Sequence, residues 1–441
     1  MVRIRHQQPR HSQVDKPQLP VSLTKHLSYL LISCLLASSL LASCTPQKAK
    51  QYDPKKVAFT AQVNPLFDNQ LYPSLILATS QPSATQPPSH SATQPLAPLT
   101  VSVTAPTNNA VLRIVVDSSS LNYVTILQEI LPSRGTTYTF QPSIKWKYER
   151  LRQIRQRMPV DLTLTCYIND EETDIRNLHF DMRSVNECPL SLQSPEGDIV
   201  DTRWLFAAYV NEEHPQIQHI LSDILDQGIV SRLQGYQAGS KADVLRQLQA
   251  VWYNTLLRGI SYASISCTSN PSPRANVQHI RFFDEVWNTR QANCIDACVY
   301  LASILRKIGL RPVIFVEPCH AYLGVYNDKN KKNITLIETT ITSWVNFPEL
   351  LRSTDPDGYL PDEQLSKISK YLSAKQLNAY RQRQVDTPQL LKWVALSLFE
   401  KASEYNLDNF RANQQYFADP ASMSFQQLDI ETLRQTVQPI N

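Results

Sequence analysis

The chain has 441 residues, a formal net charge of +4 and 9 glycines. At about 150 residues per domain, this length allows about three domains. The charges are scattered, and the sequence contains neither a basic run interleaved with aromatic residues nor a glycine-rich loop that could cradle a phosphate. We therefore expect no nucleic-acid partner, and no cofactor is indicated.

The N-terminus carries the features of an export signal. Residues 1–26 are basic with a single acid, Asp15, and residues 27–41 form a short apolar run that ends in small residues. This order is typical of a secretory signal peptide. The ending Leu41-Ala42-Ser43-Cys44 resembles the bacterial lipobox, which implies a signal peptide over residues 1–43 and a lipid on the Cys44 sulfur. The resemblance implies an exported, membrane-anchored lipoprotein on the periplasmic or outer-membrane face, with an ordinary signal peptide or a short anchor helix as the alternative.

Residues 44–99 are rich in Pro, Ser, Thr and Gln, most densely between residues 80 and 98. Such a composition offers too few apolar side chains to bury a core. It predicts a disordered, partly extended tether between the lipid and the folded part of the chain.

Residues 100–202 predict a small β-sandwich-like module for binding or spacing. Five segments in it are alternating or β-branched and are separated by polar breaks. An exported location permits disulfides, and Cys166 and Cys188 both fall in this module, so they form a possible bridge.

From Trp204 onward the apolar period becomes helical. Pro215 opens one predicted helix that Gly228 closes, and Ser240 caps a second that ends at Gly259. We expect these helices to pack on an antiparallel sheet, which places the chain in the α+β class. Residues 351–441 predict a mainly helical C-terminal extension.

The segment that begins at Cys294 predicts a helix with the cysteine at its N-terminus. Apolar residues recur at helical spacing as far as Ile308, and Asp296 stands in the first turn. This helix is about 21 Å long, and the β-rich segment 311–316 with its flanks returns the same distance in eight or nine residues at about 3.3 Å each. His320 is therefore expected beside the Cys294 sulfur.

A predicted β-hairpin then brings in a carboxylate. Two apolar runs, 321–326 and 334–337, flank a polar segment that reads as a turn. With that turn centred on residue 329, His320 and Glu338 face each other with their β-carbons about 5 Å apart.

These three residues have the chemistry of a thiol nucleophile, its base and the group that orients the base. A helix N-terminus and a neighbouring imidazolium both favour the thiolate form of a cysteine. His320 would hold the proton and later donate it to a leaving group, while Glu338 would fix its tautomer. The backbone N–H of Cys294 could stabilise an oxyanion. Taken one at a time, a cysteine at a helix start and a histidine at a strand edge are more often structural.

Several short motifs accompany the three residues. They are His320-Ala321-Tyr322 and Leu336-Ile337-Glu338-Thr339-Thr340, with Ala207-Ala208-Tyr209-Val210-Asn211, Gly235-Tyr236-Gln237, Arg258-Gly259-Ile260-Ser261-Tyr262 and Val277-Gln278-His279-Ile280-Arg281 upstream. Over residues 203–350 the chain thereby resembles bacterial transglutaminase-like domains, relatives of the papain-type thiol hydrolases. The resemblance implies a transglutaminase-like, cysteine-proteinase core with Cys294, His320 and Glu338 as catalytic residues. It suggests Gln278 as an oxyanion side chain, with Gln291 as a rival.

The remaining cysteines permit a different interpretation. Cys298 lies one turn below Cys294, and Cys319 adjoins His320, so these four side chains could be ligands of a zinc ion. Neighbouring strand residues point to opposite faces, however, so Cys319 and His320 do not easily share a metal. We therefore assign no metal site and expect Cys298 and Cys319 to face the core together.

Two functions follow from the sequence. The first is an exported, lipid-anchored thiol hydrolase or acyltransferase that acts on peptide or amide bonds of a peptide or protein in the cell envelope, with either water or an amine as acceptor. The second is a catalytically inactive protein of the same fold that binds an envelope partner. Reactivity of Cys294 towards iodoacetamide below pH 7 separates the two.

Overall fold

A computed structural model describes residues 57–80, 96–264 and 272–440, all of them within one unit of the chain. The predicted signal peptide and the lipidated Cys44 lie outside the described residues. Within the described ranges, no helix has both the length and the apolar character that crossing a bilayer requires.

The strands are numbered along the chain. They are β1 (Phe59–Val63), β2 (Gln70–Leu71), β3 (Leu99–Thr104), β4 (Ala110–Val116), β5 (Thr125–Leu131), β6 (Thr137–Phe140), β7 (Met158–Ile168), β8 (Glu171–Met182), β9 (Glu187–Gln193), β10 (Ile199–Asp201), β11 (Ser261–Tyr262), β12 (Ala275–His279), β13 (Gln291–Ala292), β14 (Pro312–Glu317), β15 (His320–Tyr326), β16 (Ile334–Ile337) and β17 (Gln426–Asp429).

The helices are numbered in the same way. They are α1 (Pro73–Ala78), α2 (Tyr148–Arg152), α3 (Phe206–Tyr209), α4 (Gln216–Asp226), α5 (Lys241–Arg258), α6 (Phe283–Thr289), α7 (Cys294–Lys307), α8 (Phe347–Arg352), α9 (Asp362–Ile368), α10 (Ala374–Arg381), α11 (Thr387–Glu404), α12 (Leu407–Ala418) and α13 (Ile430–Leu433). Helices and sheets are thus combined in one unit, as the sequence predicts at the level of class.

The N-terminal half is built from sheets with alternating burial. One sheet has the order β2-β8-β7-β4-β5, and a second has the order β1-β3-β6. Every second residue of β3 and β4 is buried, because successive side chains of a strand point to opposite faces. A third sheet, β10-β9-β12, includes a strand from the later part of the chain.

The prediction of a disordered tether is wrong for residues 57–80. In this segment β1 pairs with β3, β2 pairs with β8, and α1 is almost entirely buried. Averaged over residues 44–99, the composition is polar, although the stretch contains an apolar segment. Phe59, Leu66 and Phe67 belong to that segment, and each of them is buried. Burial of such side chains stabilises the folded state enough to order the chain around them.

The possible disulfide between Cys166 and Cys188 is not present, because both residues are free, buried thiols. Cys166 lies in β7 opposite Ile114, whereas Cys188 lies in β9 opposite Gln278, so the two belong to different sheets. A disulfide needs β-carbons about 4 Å apart. Burial also raises the pKa of both thiols.

The sheet that concerns function is antiparallel, with the order β16-β15-β14-β17. Helix α7 contacts β14 and β15, and α11 contacts β16. Helix α12 adds Phe410 and Phe417, whose rings lie 5.2 and 5.1 Å from that of Phe315 in β14. The C-terminal extension is therefore part of the core around this sheet, and β17 is the strand that completes it.

Candidate functional site

Cys294 is the first residue of α7, as the sequence predicts, and its side chain is half-buried. Two reciprocal hydrogen bonds fix the start of the helix. The Asn293 side chain accepts from the N–H of Asp296 at 2.9 Å, and the Asp296 carboxylate accepts from the N–H of Asn293 at 3.0 Å. This capping box holds the thiol at the positive end of the helix dipole.

The cap is also tied to Arg281, two residues after β12, through an ion pair with a buried carboxylate. Asp296 is fully buried and accepts from the Arg281 side chain at 2.7 Å and from its N–H at 2.8 Å. Burial raises the pKa of the Asp296 carboxyl, although the bonds from Asn293 and Arg281 act in the opposite direction. Removing one partner of such a buried pair would leave an uncompensated charge beside the thiol.

His320 opens β15 and contacts both other members of the predicted triad. Its Nε2 lies 2.8 Å from Oε2 of Glu338, and its ring is hydrogen-bonded to the Cys294 side chain. Since Nε2 is occupied by the carboxylate, Nδ1 is the ring nitrogen left to face the sulfur. The bonds to Cys294 and then to Glu338 raise the pKa of His320 to about 10. This arrangement stabilises the imidazolium form at neutral pH.

Glu338 is fully buried and receives four hydrogen bonds. Besides His320, the Thr340 N–H donates at 2.9 Å, the Thr340 hydroxyl at 2.6 Å and the Asn406 side-chain amide at 2.5 Å. Burial on its own would raise the pKa of this carboxyl, but the bonds from His320 and Thr340 outweigh it and the pKa is lowered. Glu338 is therefore a buried carboxylate that holds its charge and orients the imidazole.

The predicted hairpin is present, but its register differs from the expected one. Leu323 pairs with Ile337, so Glu338 stands opposite Tyr322 rather than His320. The shift is two residues, and an even shift keeps a side chain on the same face of the sheet. Diagonal neighbours are about 7 Å apart at the β-carbons, a gap that the long side chains of Glu338 and His320 bridge.

Tyr262 is a neighbour that the sequence argument did not assign. Its strand β11 pairs with β13, which places Tyr262 opposite Ala292, two residues before Cys294. Burial, followed by electrostatic interaction with Cys294 and Glu338, raises the pKa of the Tyr262 hydroxyl. A tyrosine hydroxyl that keeps its proton is a hydrogen-bond donor.

The predicted oxyanion side chains stand on two other strands, β12 and β13. Gln278 is in β12, in a different sheet from His320, and its amide donates to the carbonyl of the adjacent His279 at 2.9 Å. Gln291 is exposed in β13. The amide nitrogen of Asn293, by contrast, is buried, has no partner in the described structure and belongs to the residue before the thiol.

Cys298 and Cys319 do not face the core together. Cys298 is buried, and burial raises its pKa well above the ordinary value, whereas Cys319 is exposed in the turn between β14 and β15. Its φ of 62° lies in the left-handed region, as turn residues allow and strand residues do not. In the parts of the chain that the structure describes, no three His, Cys, Asp or Glu side chains are grouped to hold a metal.

Asn406 and Thr340 are two further residues of the site that the sequence did not predict. The Thr340 contact could have been found, because a hydroxyl two residues after a strand-end acid commonly bonds back to it. Asn406 lies 68 residues beyond Glu338 and is the residue before α12. No local pattern links the two residues.

Comparison with protein-family models and with curated proteins gives no match for this chain.

Proposed function

We propose that the protein is a transglutaminase-like thiol hydrolase or acyltransferase that acts on peptide or amide bonds. The observation that carries this proposal is the contact of His320 with both Cys294 and the buried Glu338. Sulfur, imidazole and carboxylate come from a helix start and two neighbouring strands, which is the arrangement that a thiol nucleophile requires. Packing of α7 on an antiparallel sheet supports the predicted cysteine-proteinase type of core.

In the proposed reaction the Cys294 sulfur attacks the carbonyl carbon of the substrate amide. The C–N bond then breaks, and His320 transfers its proton from Nδ1 to the leaving amine. Water or a second amine attacks the resulting thioester, returning a proton to His320 and releasing the sulfur. The Cys294 N–H, at the unpaired start of α7, and the Tyr262 hydroxyl are the donors we propose for the oxyanion.

We also propose that the reaction takes place in the cell envelope. The basic lead, apolar run and Leu41-Ala42-Ser43-Cys44 support export and attachment through a lipid on Cys44. Labelling the cells with a radioactive fatty acid tests this part of the proposal, because a Cys44→Ser variant should lose the label.

The catalytic proposal is tested by incubating envelope peptides with the wild type and with Cys294→Ala. We expect new peptide termini or new amide cross-links only with the wild type. Cys319→Ala is the matched control, because it removes an exposed thiol next to His320 in sequence and should leave the products unchanged. Equal products from wild type and Cys294→Ala would leave only the function of an inactive binding protein.

A further inference from the structure

The structure contains a cavity of about 540 Å³ on the side of the chain segment that follows Glu338. It is lined by Trp344, Lys370, Tyr371 and Lys401. Trp344 directly follows the short 3₁₀ turn Thr339–Ser343 that begins after Glu338. The part of the cavity wall that Trp344 forms therefore belongs to the chain segment that follows Glu338.

A second residue of the lining is also connected to Glu338. Lys401 belongs to α11, and the next residue, Ala402, accepts the backbone N–H of Glu338 at 2.9 Å. One turn further along, Asn406 donates to the Glu338 carboxylate. Two residues of the lining are therefore connected to the same buried residue of the site.

The cavity carries positive charge that no acid neutralises. In the described structure neither Lys370 nor Lys401 has a carboxylate within ion-pair distance, whereas the nearby Lys367 pairs with Glu363 at 3.1 Å. The Lys370 ammonium lies 5.1 Å from the centre of the Tyr371 ring. Two unneutralised ammonium groups on one cavity favour an anionic ligand.

Exposed aromatic rings form the rim. Trp344 is 46% exposed and Tyr405 is 60% exposed, and their rings meet edge to face at 6.4 Å. Large exposed aromatic side chains next to a charged cavity are typical of surfaces that bind another molecule. Peptide groups and side chains can pack on such rings while a carboxylate reaches the lysines.

We infer that this cavity binds an acidic segment of the substrate peptide, with carboxylates on Lys370 and Lys401 and the peptide chain across Trp344. Its identity as a substrate subsite rests on the proposed function, whereas its preference for carboxylates does not. A peptide held there would lie next to the segment that orients the catalytic histidine.

Calorimetric titration of the full chain carrying Cys294→Ala tests the preference without any turnover. The probes are two capped peptides, Ala-Glu-Ala-Glu-Ala and Ala-Gln-Ala-Gln-Ala. We expect the Glu peptide to bind about fivefold more tightly than the Gln peptide, from two exposed charge contacts. Adding Lys370→Gln and Lys401→Gln should remove this difference.

Lys332→Gln with Lys375→Gln is the matched control, since both lysines are exposed, lie outside the cavity and change the net charge equally. The control should retain the preference for Glu. Trp344→Ala should weaken the binding of both peptides by the same factor. Equal binding of the Glu and Gln peptides, or equal loss in the control, would overturn the inference.

Two further measurements separate the alternatives. The first is binding to phosphatidylglycerol vesicles. If the wild type binds them and only the Lys370/Lys401 variant loses this binding, the cavity is a lipid site and the peptide assignment is overturned. The second is the reactivity of Cys294 towards iodoacetamide. If Cys294 is unreactive but the Glu peptide still binds more tightly than the Gln peptide, the proposed catalysis is wrong and the cavity remains a site for an acidic ligand.

Discussion

Two histidine–carboxylate contacts occur in the part of the chain that the structure describes, and their difference shows what makes one of them a candidate site. His179 and Asp161 are directly opposed across β8 and β7, and their side chains are 77% and 75% exposed. His320 is 26% exposed and Glu338 is completely buried. The first pair has the direct opposition that the sequence argument expected for the second.

Direct opposition is thus not what defines the site. Glu338 has three further donors from Thr340 and Asn406, and His320 has a thiol on its other side. Water screens an exposed pair, so its contribution is small, whereas a buried carboxylate with a full set of donors holds its charge and its partner. The predictions below test this difference, from the largest expected effect to the smallest.

The largest effect concerns the reactivity of Cys294. At about pH 6 an ordinary thiol of pKa about 8.5 is less than about 1% ionised, so His320→Ala should slow alkylation by iodoacetamide about 50-fold or more. Peptide-level mass spectrometry measures the rate at Cys294 alone. His179→Ala should leave the rate unchanged. The comparison fails if both variants behave alike, or if wild-type Cys294 reacts no faster than a model thiol.

Glu338→Gln should lower the free energy of unfolding by about 2–3 kcal/mol. The substitution keeps the shape, but it removes the charge and places an amide N–H₂ among groups that donate. Asp161→Asn is the control on the exposed pair and should cost less than about 0.5 kcal/mol. Urea denaturation gives both values. A cost for Glu338→Gln as small as that of the control would contradict the role of burial.

Asn406→Ala should lower the free energy of unfolding by about 1–2 kcal/mol, because it leaves a buried carboxylate oxygen with one donor fewer. It should also slow alkylation of Cys294, since Glu338 then holds His320 less firmly. Asn409→Ala removes a similar amide bond three residues later, an exposed bond to Glu317 at 2.6 Å. Equal effects of the two variants in urea denaturation and alkylation would show that Asn406 only stabilises α12.

The smallest effect is the pH dependence of stability. The raised pKa of His320 means that its contribution is complete below its ordinary value of 6.5 and is lost as the pH rises through about 10. The lowered pKa of Glu338 has the opposite sign, so its contribution is present above 4.5 and is lost on further acidification. Both contribute fully only between these limits.

Urea denaturation at about pH 6, 8 and 10 checks this sign. The difference in unfolding free energy between wild type and His320→Gln should shrink as the pH rises. The same difference for His179→Gln should stay small throughout. A wild-type advantage over His320→Gln that grows towards pH 10 would show that the bonds to Cys294 and Glu338 do not favour the imidazolium.

Local patterns predicted much of the central region. The period of apolar residues and the acid Asp296 in the first turn indicated α7, and the apolar runs around a polar turn indicated the hairpin. The register was wrong by two residues, because a polar turn of several residues leaves the pairing open while the alternation of faces is retained. Because the error was an even number of residues, the predicted register still placed His320 and Glu338 on the same face of the sheet, and the predicted contact between them is present.

Composition was less informative than pattern. The average over residues 44–99 concealed an apolar segment that adds strands to two sheets. The pairing of Cys166 with Cys188 relied on their shared β-rich region, and only the sheets to which β7 and β9 belong decided against it. Averages over a long stretch discard the spacing that determines burial.

The sequence by itself determined which groups could do chemistry and on which kind of element each one stands, because helix caps and strand alternation are properties of a few neighbouring residues. Only the tertiary structure decided that Asn406 donates to Glu338, that Tyr262 stands opposite Ala292 and that the Gln278 amide donates to the His279 carbonyl. Those contacts join residues far apart in the chain, and their positions follow from how the whole core packs.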